Sequence, residues 1–191
     1  NGAIRYALSA IKSIGRPVIE GIVREREEHG EYTSLKTFVE RNIDQINKRV
    51  VENLIKAGAL DCLEGNRKQK MTIYTQIIDS INQDKKHTMA GQLSLFDIAS
   101  EEDKKEFEIR MPQVEEYPKE IILTFEKEVL GIYLSGHPLE RYRNMMEKMI
   151  SAKTSDFQPD DETGIPEVYD NQKVIVGGTV SYTHLTLPTT P

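Results

Sequence analysis

The sequence predicts a mainly α chain: two helical hairpins in tandem, a flexible linker with a short peptide motif, further helices, and an incomplete β segment near the C-terminus. Three observations carry this. Apolar residues recur at helical spacing along most of the chain; a Gly-centred turn flanked by apolar helical runs occurs twice, at Gly15 and Gly58; and one β-patterned run, 173–180, closes the readable sequence. The 191 residues, 38% of them hydrophobic, suit one or two soluble domains, and no apolar run approaches membrane-spanning length. A single cysteine, Cys62, excludes an intrachain disulfide and fits a reducing cytoplasm, and its apolar context predicts a packed thiol. The opening residues, Asn1-Gly2-Ala3-Ile4-Arg5, lack an initiator Met and a signal peptide, so the chain reads as cut from a longer protein.

The first hairpin is built from Leu8, Ile11 and Ile14, which stop at Gly15, and from Val18, Ile19, Ile22 and Val23, which resume at helical spacing. Gly15 suits the positive φ of a tight turn, and Pro17 fits the first turn of the next helix, where its missing N–H would be unpaired anyway. Such a turn presents a helix N-terminus that can hold a phosphate oxygen without reading a base, with Lys12, Ser13 and Arg16 beside it. The unit looks like a helix-hairpin-helix DNA-backbone clamp; a packed αα-corner with no ligand is the alternative. Val50 to Leu60 repeats the apolar helix, the Gly at the turn (Gly58) and the apolar continuation. Paired hairpins of this kind can grip both strands of a duplex across the minor groove. Pro17, however, stands where the motif commonly has a second Gly, which removes one N–H from the first turn.

Charge supports the same reading. The net charge is −6, yet residues 1–70 carry 13 Lys and Arg against 10 Asp and Glu, a net of +3, and the remainder carries −9. The candidate DNA-binding residues are Lys12, Ser13, Gly15, Arg16, Lys48, Arg49, Lys56, Gly58 and Arg67, with Arg24, Arg26, Lys68 and Lys70 able to extend a phosphate track. Between the hairpins, Ser34 predicts an N-cap for a short packing helix carrying Leu35, Phe38 and Val39. Asn66 predicts the cap of a longer helix whose stripe of Met71, Ile73, Tyr74, Ile77, Ile78 and Ile81 covers the back of the hairpin pair. These elements make residues 1–83 a tandem hairpin domain.

Residues 84–117 read as linker, polar at Asp84-Lys85-Lys86-His87 and mixed-charge from Ser100 to Glu108. Within it lies Gln92-Leu93-Ser94-Leu95-Phe96, where Gln92 can hydrogen-bond at a pocket rim while Leu95 and Phe96 fill an apolar pocket. The pentapeptide resembles the bacterial sliding-clamp-binding motif; folding back as a local hydrophobic staple is the alternative. Residues 118–150 form a helical segment, with an amphipathic helix over Lys119–Leu130 and another marked by Tyr142, Met145, Met146 and Met149.

The run Glu126-Lys127-Glu128-Val129-Leu130-Gly131-Ile132-Tyr133-Leu134-Ser135-Gly136-His137-Pro138 closely resembles a signature of the bacterial DNA polymerase III alpha subunits, the C-family replicative polymerases. That family also has the tandem hairpin and the clamp motif in this order. The resemblance covers the chain from about Ala3 to about Thr179 and includes Asn47-Lys48-Arg49-Val50 and Leu54-Ile55-Lys56-Ala57-Gly58-Ala59. It implies a region that follows the fingers, grips duplex DNA behind the active site, ties the enzyme to the sliding clamp (the beta subunit) and works among other holoenzyme subunits in the bacterial cytoplasm, at the nucleoid. No membrane partner is implied. Residues 151–181 are then a linker and the first strand of a truncated OB-fold, which binds single-stranded DNA in the family. From about Tyr182 the resemblance ends, and residues 182–191 read as a non-native tail, a translated cloning or assembly artefact.

The expected function is therefore a non-catalytic DNA- and clamp-binding fragment of a DNA-directed DNA polymerase. The nucleotidyl transfer of the parent, and the divalent metal it implies, magnesium by expectation, belong to a catalytic domain outside this sequence. Within the fragment no catalytic residue, metal ligand set or cofactor is expected: the acidic pair Asp160-Asp161 lies in polar linker, and His137 stands alone before Pro138 as a turn histidine. Two other readings remain at this point. One is a stand-alone helix-hairpin-helix repair scaffold, and the other a helix-hairpin-helix glycosylase with Asp61 as its carboxylate.

Overall fold

Three of the six described α-helices start where a short polar side chain takes up an orphan amide. Ser34 Oγ accepts from the Thr37 amide (3.1 Å) ahead of α2 (Leu35–Asn42), and Asn47 Oδ1 accepts from the Val50 amide (3.0 Å) ahead of α3 (Lys48–Lys56). At the head of α4 (Arg67–Met89) the pairing is reciprocal: the Gln69 amide donates to Asn66 Oδ1 and the Asn66 amide to Gln69 Oε1, each at 2.8 Å. Helix α1 (Arg16–His29) begins on Gly15 with Pro17 in its first turn. The remaining α-helices are α5 (Lys119–Leu130) and α6 (Arg143–Met149), with 3-10 turns at Leu8–Ala10, Glu140–Tyr142 and Thr154–Phe157.

These elements come from a computed structural model that describes residues 8–89, 109–160 and 164–180, with the side chains of 87–89 left out. The chain forms two compact units, Asn1–Ser135 and Gly136–Pro191. In the first, α3 packs on α4 and α5, α2 on α4, and α1 on α2. Val39 of α2 and Val51 of α3 are fully buried at the centre of one core, which Ile11 and Ile14 enter from the first turn and Ile73, Ile77, Ile78 and Ile81 from α4. Arg41 locks α1 to α2: its guanidinium donates to the Glu25 carboxylate (3.0 Å) and to the Glu25 and Gly30 carbonyls (2.7 and 3.1 Å), satisfying carbonyls at the end of α1. The mainly α, tandem-hairpin architecture matches the expectation, and no helix among the described residues is long and apolar enough to cross a membrane.

Four expectations are corrected. Gly15 does not hold the positive φ of the first turn; it is extended (φ −73°), and Ser13 takes the left-handed conformation (φ 64°) between the buried Ile11 and Ile14. Cys62 is exposed rather than packed, because its neighbours Leu60 and Leu63 turn into the core. Among the described residues ahead of Gly15 there is a 3-10 turn and no α-helix. Lys173–Val180 forms no strand, and the described residues show no OB-fold: the Ser151 and Ala152 amides donate to the Ile175 carbonyl (2.9 and 3.4 Å) and the Ile175 amide donates to Ser151 Oγ (2.9 Å), which is contact at one residue and not a ladder.

Helix α4 continues past Gln83 to Met89. Ile109 and Met111 pack against the core, while Gln69 and Asn66 side chains donate to the Pro112 and Val114 carbonyls (2.7 and 2.9 Å). Thus both ends of the expected linker belong to the first unit. Gln92–Phe96 and the 182–191 tail lie outside the described residues.

Gly58 closes α3 with φ 76°: its amide donates to the Ile55 carbonyl and the Ala59 amide to the Leu54 carbonyl, both at 3.0 Å. A Cβ there would lie 2.2 Å from Arg67 Nη2, whereas one at Gly15 would meet only Pro17 Cδ, at 3.7 Å. Urea denaturation should therefore show Gly58→Ala losing at least about 2 kcal/mol through backbone strain and a displaced Arg67, while Gly15→Ala loses no more than about 1 kcal/mol, the ordinary cap penalty. Equal losses at the two positions would contradict this assignment.

Candidate nucleic-acid interface

The α3 sequence places Lys48, Glu52 and Lys56 at four-residue spacing, with Arg49 and Asn53 in the adjacent row, so five polar residues share one face of the helix. That face, the turn at Lys12 and Ser13, and Glu128 and Val129 of α5 line an open cavity of about 540 Å³. The turn is fixed from both sides. Its Lys12 amide donates to the Val129 carbonyl and its Lys12 carbonyl accepts from Asn53 Nδ2, both at 2.8 Å. Buried Ile11 and Ile14 flank it, leaving Lys12, Ser13, Gly15 and Arg16 exposed.

The cations of this surface fall into distinct grades. Lys12 and Arg49 are exposed and form no ion pair among the described residues. Lys48 meets Asp79 at 2.8 Å and Arg16 meets Glu20 at 3.1 Å, but all four side chains are at least half exposed, so water screens both pairs. Neither α1 nor α3 has a carboxylate in its first turn; instead Arg16, Lys48 and Arg49 stand at the positive ends of the helix dipoles, an arrangement that an anion relieves. The first turn of α1 has few amides to give, since Pro17 has none and Val18 and Ile19 both donate to the Gly15 carbonyl.

Lys56 differs: its ammonium is 3.0 Å from Glu52 and 3.0 Å from Glu128. Burial lowers its pKa, but the two carboxylates outweigh that and hold it above the ordinary value. Arg67 is not on the surface at all. Its side chain is 8% exposed, and its guanidinium donates to Asp61 (2.7 Å), to Glu126 (3.2 Å) and to the Lys56 carbonyl at the end of α3 (3.3 Å). Lys70 is likewise buried, donating to the Gly65 carbonyl.

Glu126, fully buried on α5, also accepts from the Leu134 amide (2.7 Å), the Ser135 amide (2.9 Å) and the Ser135 hydroxyl. Burial raises its pKa, yet the donors from Ser135, Leu134 and Arg67 prevail and hold the carboxyl below its usual value. Glu116 behaves similarly: burial raises it, and the Arg67, Tyr117 and Lys68 amides that it accepts bring it below the usual value. Sequence reasoning missed Glu52, Asn53, Glu126 and Glu128. One signal was present, because an Asn inside the apolar run Val50–Ile55 must find a partner for its amide.

The other expected chemistry also has a place. Asp61 is engaged by Arg67, and His137 is a turn residue whose Nδ1 accepts from the Leu139 amide at 3.2 Å. Among the described residues, Glu25, Glu28 and His29 could share an ion, but Glu25 already pairs with Arg41.

Residues 1–70 match the family described as helix-hairpin-helix motif. The chain is similar to the DNA polymerase III subunit alpha of Chlamydia pneumoniae, 35% identical over 157 residues, and of Borreliella burgdorferi, 36% identical over 152. These alignments cover 81% and 79% of this chain and 13% of each relative. The corresponding subunit of Mycobacterium leprae is 30% identical over 181 residues, 92% of this chain and 14% of that protein. The chain thus spans a small part of the length of these relatives.

The Glu126 and Glu116 carboxyls make folding proton-linked. Both lie below the usual 4.5, so their contribution is complete above that pH and is lost as pH falls through the lower folded values. Urea midpoints should hold from neutrality to about pH 5 and fall below it. Glu126→Gln should lose about 3 kcal/mol at pH 7 and show a shallower acid limb; an acid limb unchanged from wild type would remove Glu126 from the linkage.

Proposed function

Taking the chain as the helix-hairpin-helix region of a bacterial DNA polymerase III alpha subunit, as its homology supports, we propose that it grips the backbone of duplex DNA and tethers the polymerase to its sliding clamp. The observation that carries the first half is the convergence of Lys12 and Ser13 from one hairpin with Lys48 and Arg49 from the other on a single open groove. Lys12, Ser13, Gly15, Arg16, Lys48 and Arg49 form the contact set. Lys56 lines the same groove with its ammonium held by Glu52 and Glu128, while Gly58 and the buried Arg67 support that surface from behind. Charge and backbone amides recognise phosphate and not base edges, so the grip is indifferent to sequence.

The tether is Gln92–Phe96, whose Gln and paired apolar side chains suit the rim and pocket of a clamp. Synthesis itself, with its divalent metal, is assigned to the parent polymerase, acting with other replicative subunits in the bacterial cytoplasm at the nucleoid. A free-standing repair scaffold does not account for similarity that runs well past the hairpins, and a glycosylase would need Asp61 released from Arg67.

Binding to a mixed-sequence duplex should weaken steeply with salt, and Lys12→Ala/Arg49→Ala should flatten the log–log salt slope by about 2, near one for each phosphate that is no longer neutralised. An unchanged slope would take the groove out of the account. Calorimetry against a bacterial sliding clamp should give a signal that Leu95→Ala/Phe96→Ala abolishes; equal heats for both proteins would reduce the pentapeptide to packing.

A further inference from the structure

We infer that Glu52 and Glu128 act as built-in competitors for phosphate, holding the Lys56 ammonium out of the DNA contact set and so limiting how tightly the groove grips. The inference rests on the nucleic-acid reading of that groove. An ammonium has three N–H donors. Lys56 Nζ lies 3.0 Å from Glu52 Oε1 and 3.0 and 3.2 Å from the two Glu128 oxygens, so each donor has a carboxylate oxygen to meet. A DNA phosphate can reach Lys56 only by displacing one of them.

The arrangement is specific to this lysine. Lys12 and Arg49 line the same cavity with no ion pair among the described residues, and the Lys48–Asp79 pair is open to water at both ends. The Lys56 side chain is 12% exposed and that of Glu52 33%, so their pair is screened less than Lys48–Asp79, while Glu128, 56% exposed, meets the same ammonium from the solvent side. The Lys56 ammonium also sits 5.4 Å from the Phe125 ring centroid, a further restraint on its position. Two carboxylates against one ammonium leave a net negative charge on the Lys56 side of the groove. Phosphate is directed toward Lys12, Lys48 and Arg49, and the duplex is held below the maximum the cations could supply, which favours sliding over arrest.

The test is fluorescence anisotropy of a labelled mixed-sequence duplex titrated with the full chain over a salt series. Wild type is compared with Glu52→Gln/Glu128→Gln, with Lys56→Met, and with the triple variant. The double variant should bind roughly three- to ten-fold tighter with a salt slope steeper by about 0.9, the increment for one further neutralised phosphate. Adding Lys56→Met should cancel that gain, so that this substitution weakens binding more in the double-variant background than in wild type. A gain that survives in the triple variant, or no gain at all, overturns the inference: the first makes the carboxylates general repellents, the second makes them bystanders.

Should the triple variant fail to fold, Glu128→Gln alone decides, since Glu128 is 56% exposed; a steeper salt slope supports the clamp on Lys56, and tighter binding at an unchanged slope refutes it. Absence of duplex binding by wild type and every variant would instead defeat the nucleic-acid reading and this inference with it.

Discussion

The buried pair between Arg67 and Glu126 is the constraint on which the first unit depends. Desolvating two charges costs several kcal/mol each unless their remaining hydrogen-bonding capacity is met. Here it is: Asp61 and the Lys56 carbonyl take the other guanidinium donors, and the Leu134 amide with the Ser135 amide and hydroxyl fill the carboxylate. The consequences spread outward. Arg67 is the first residue of α4, so the pair sets where that helix begins relative to the end of α3. Glu126 lies on α5, so the same pair brings Val129 beside the Lys12 turn, whose amide it receives. The groove proposed to hold DNA is thus assembled by a pair that does not line it.

The helix starts of the first unit solve one electrostatic problem in two ways. Helix α4 begins with Arg67 and Lys68, and the Glu116 carboxylate accepts both of their amides, supplying an anion from a distant part of the chain. Helices α1 and α3 also begin with cations, at Arg16 and at Lys48 and Arg49, and have no carboxylate in their first turns. A phosphate would supply the anion that Glu116 supplies to α4, but at α1 it would meet chiefly the Arg16 side chain, because Pro17 has no amide hydrogen and the Val18 and Ile19 amides are already bonded to Gly15.

Features decided within a few residues were legible in the sequence. Ser34, Asn66 and Pro17 act where their own local chemistry puts them, and the stripe from Ile73 to Ile81 follows from helical periodicity alone. Features that depend on a distant partner were not. Nothing near Arg67 or Lys70 distinguishes a buried cation from an exposed one, because Glu126 is 59 residues away from Arg67 and Lys70 is enclosed by packing. The run at 173–180 has the composition of a strand, but a strand exists only with a neighbour to pair with. The first turn shows a subtler limit: its left-handed residue is Ser13 and not the nearby Gly15, since the buried Ile11 and Ile14 and the bonds to Asn53 and Val129 impose the path.

The crowding at Gly58 also shapes how this sequence can change over generations. A side chain at position 58 requires Arg67 to move; an Arg67 that moves or shrinks leaves Glu126 buried without its cation; and a Glu126 so stranded loosens the turn formed by Leu134 and Ser135. Each single step is deleterious, so drift at these positions must proceed together or not at all. A glycine kept at this hairpin in descendants of the chain would thus record selection on folding, and its persistence alone would say nothing of contact with DNA.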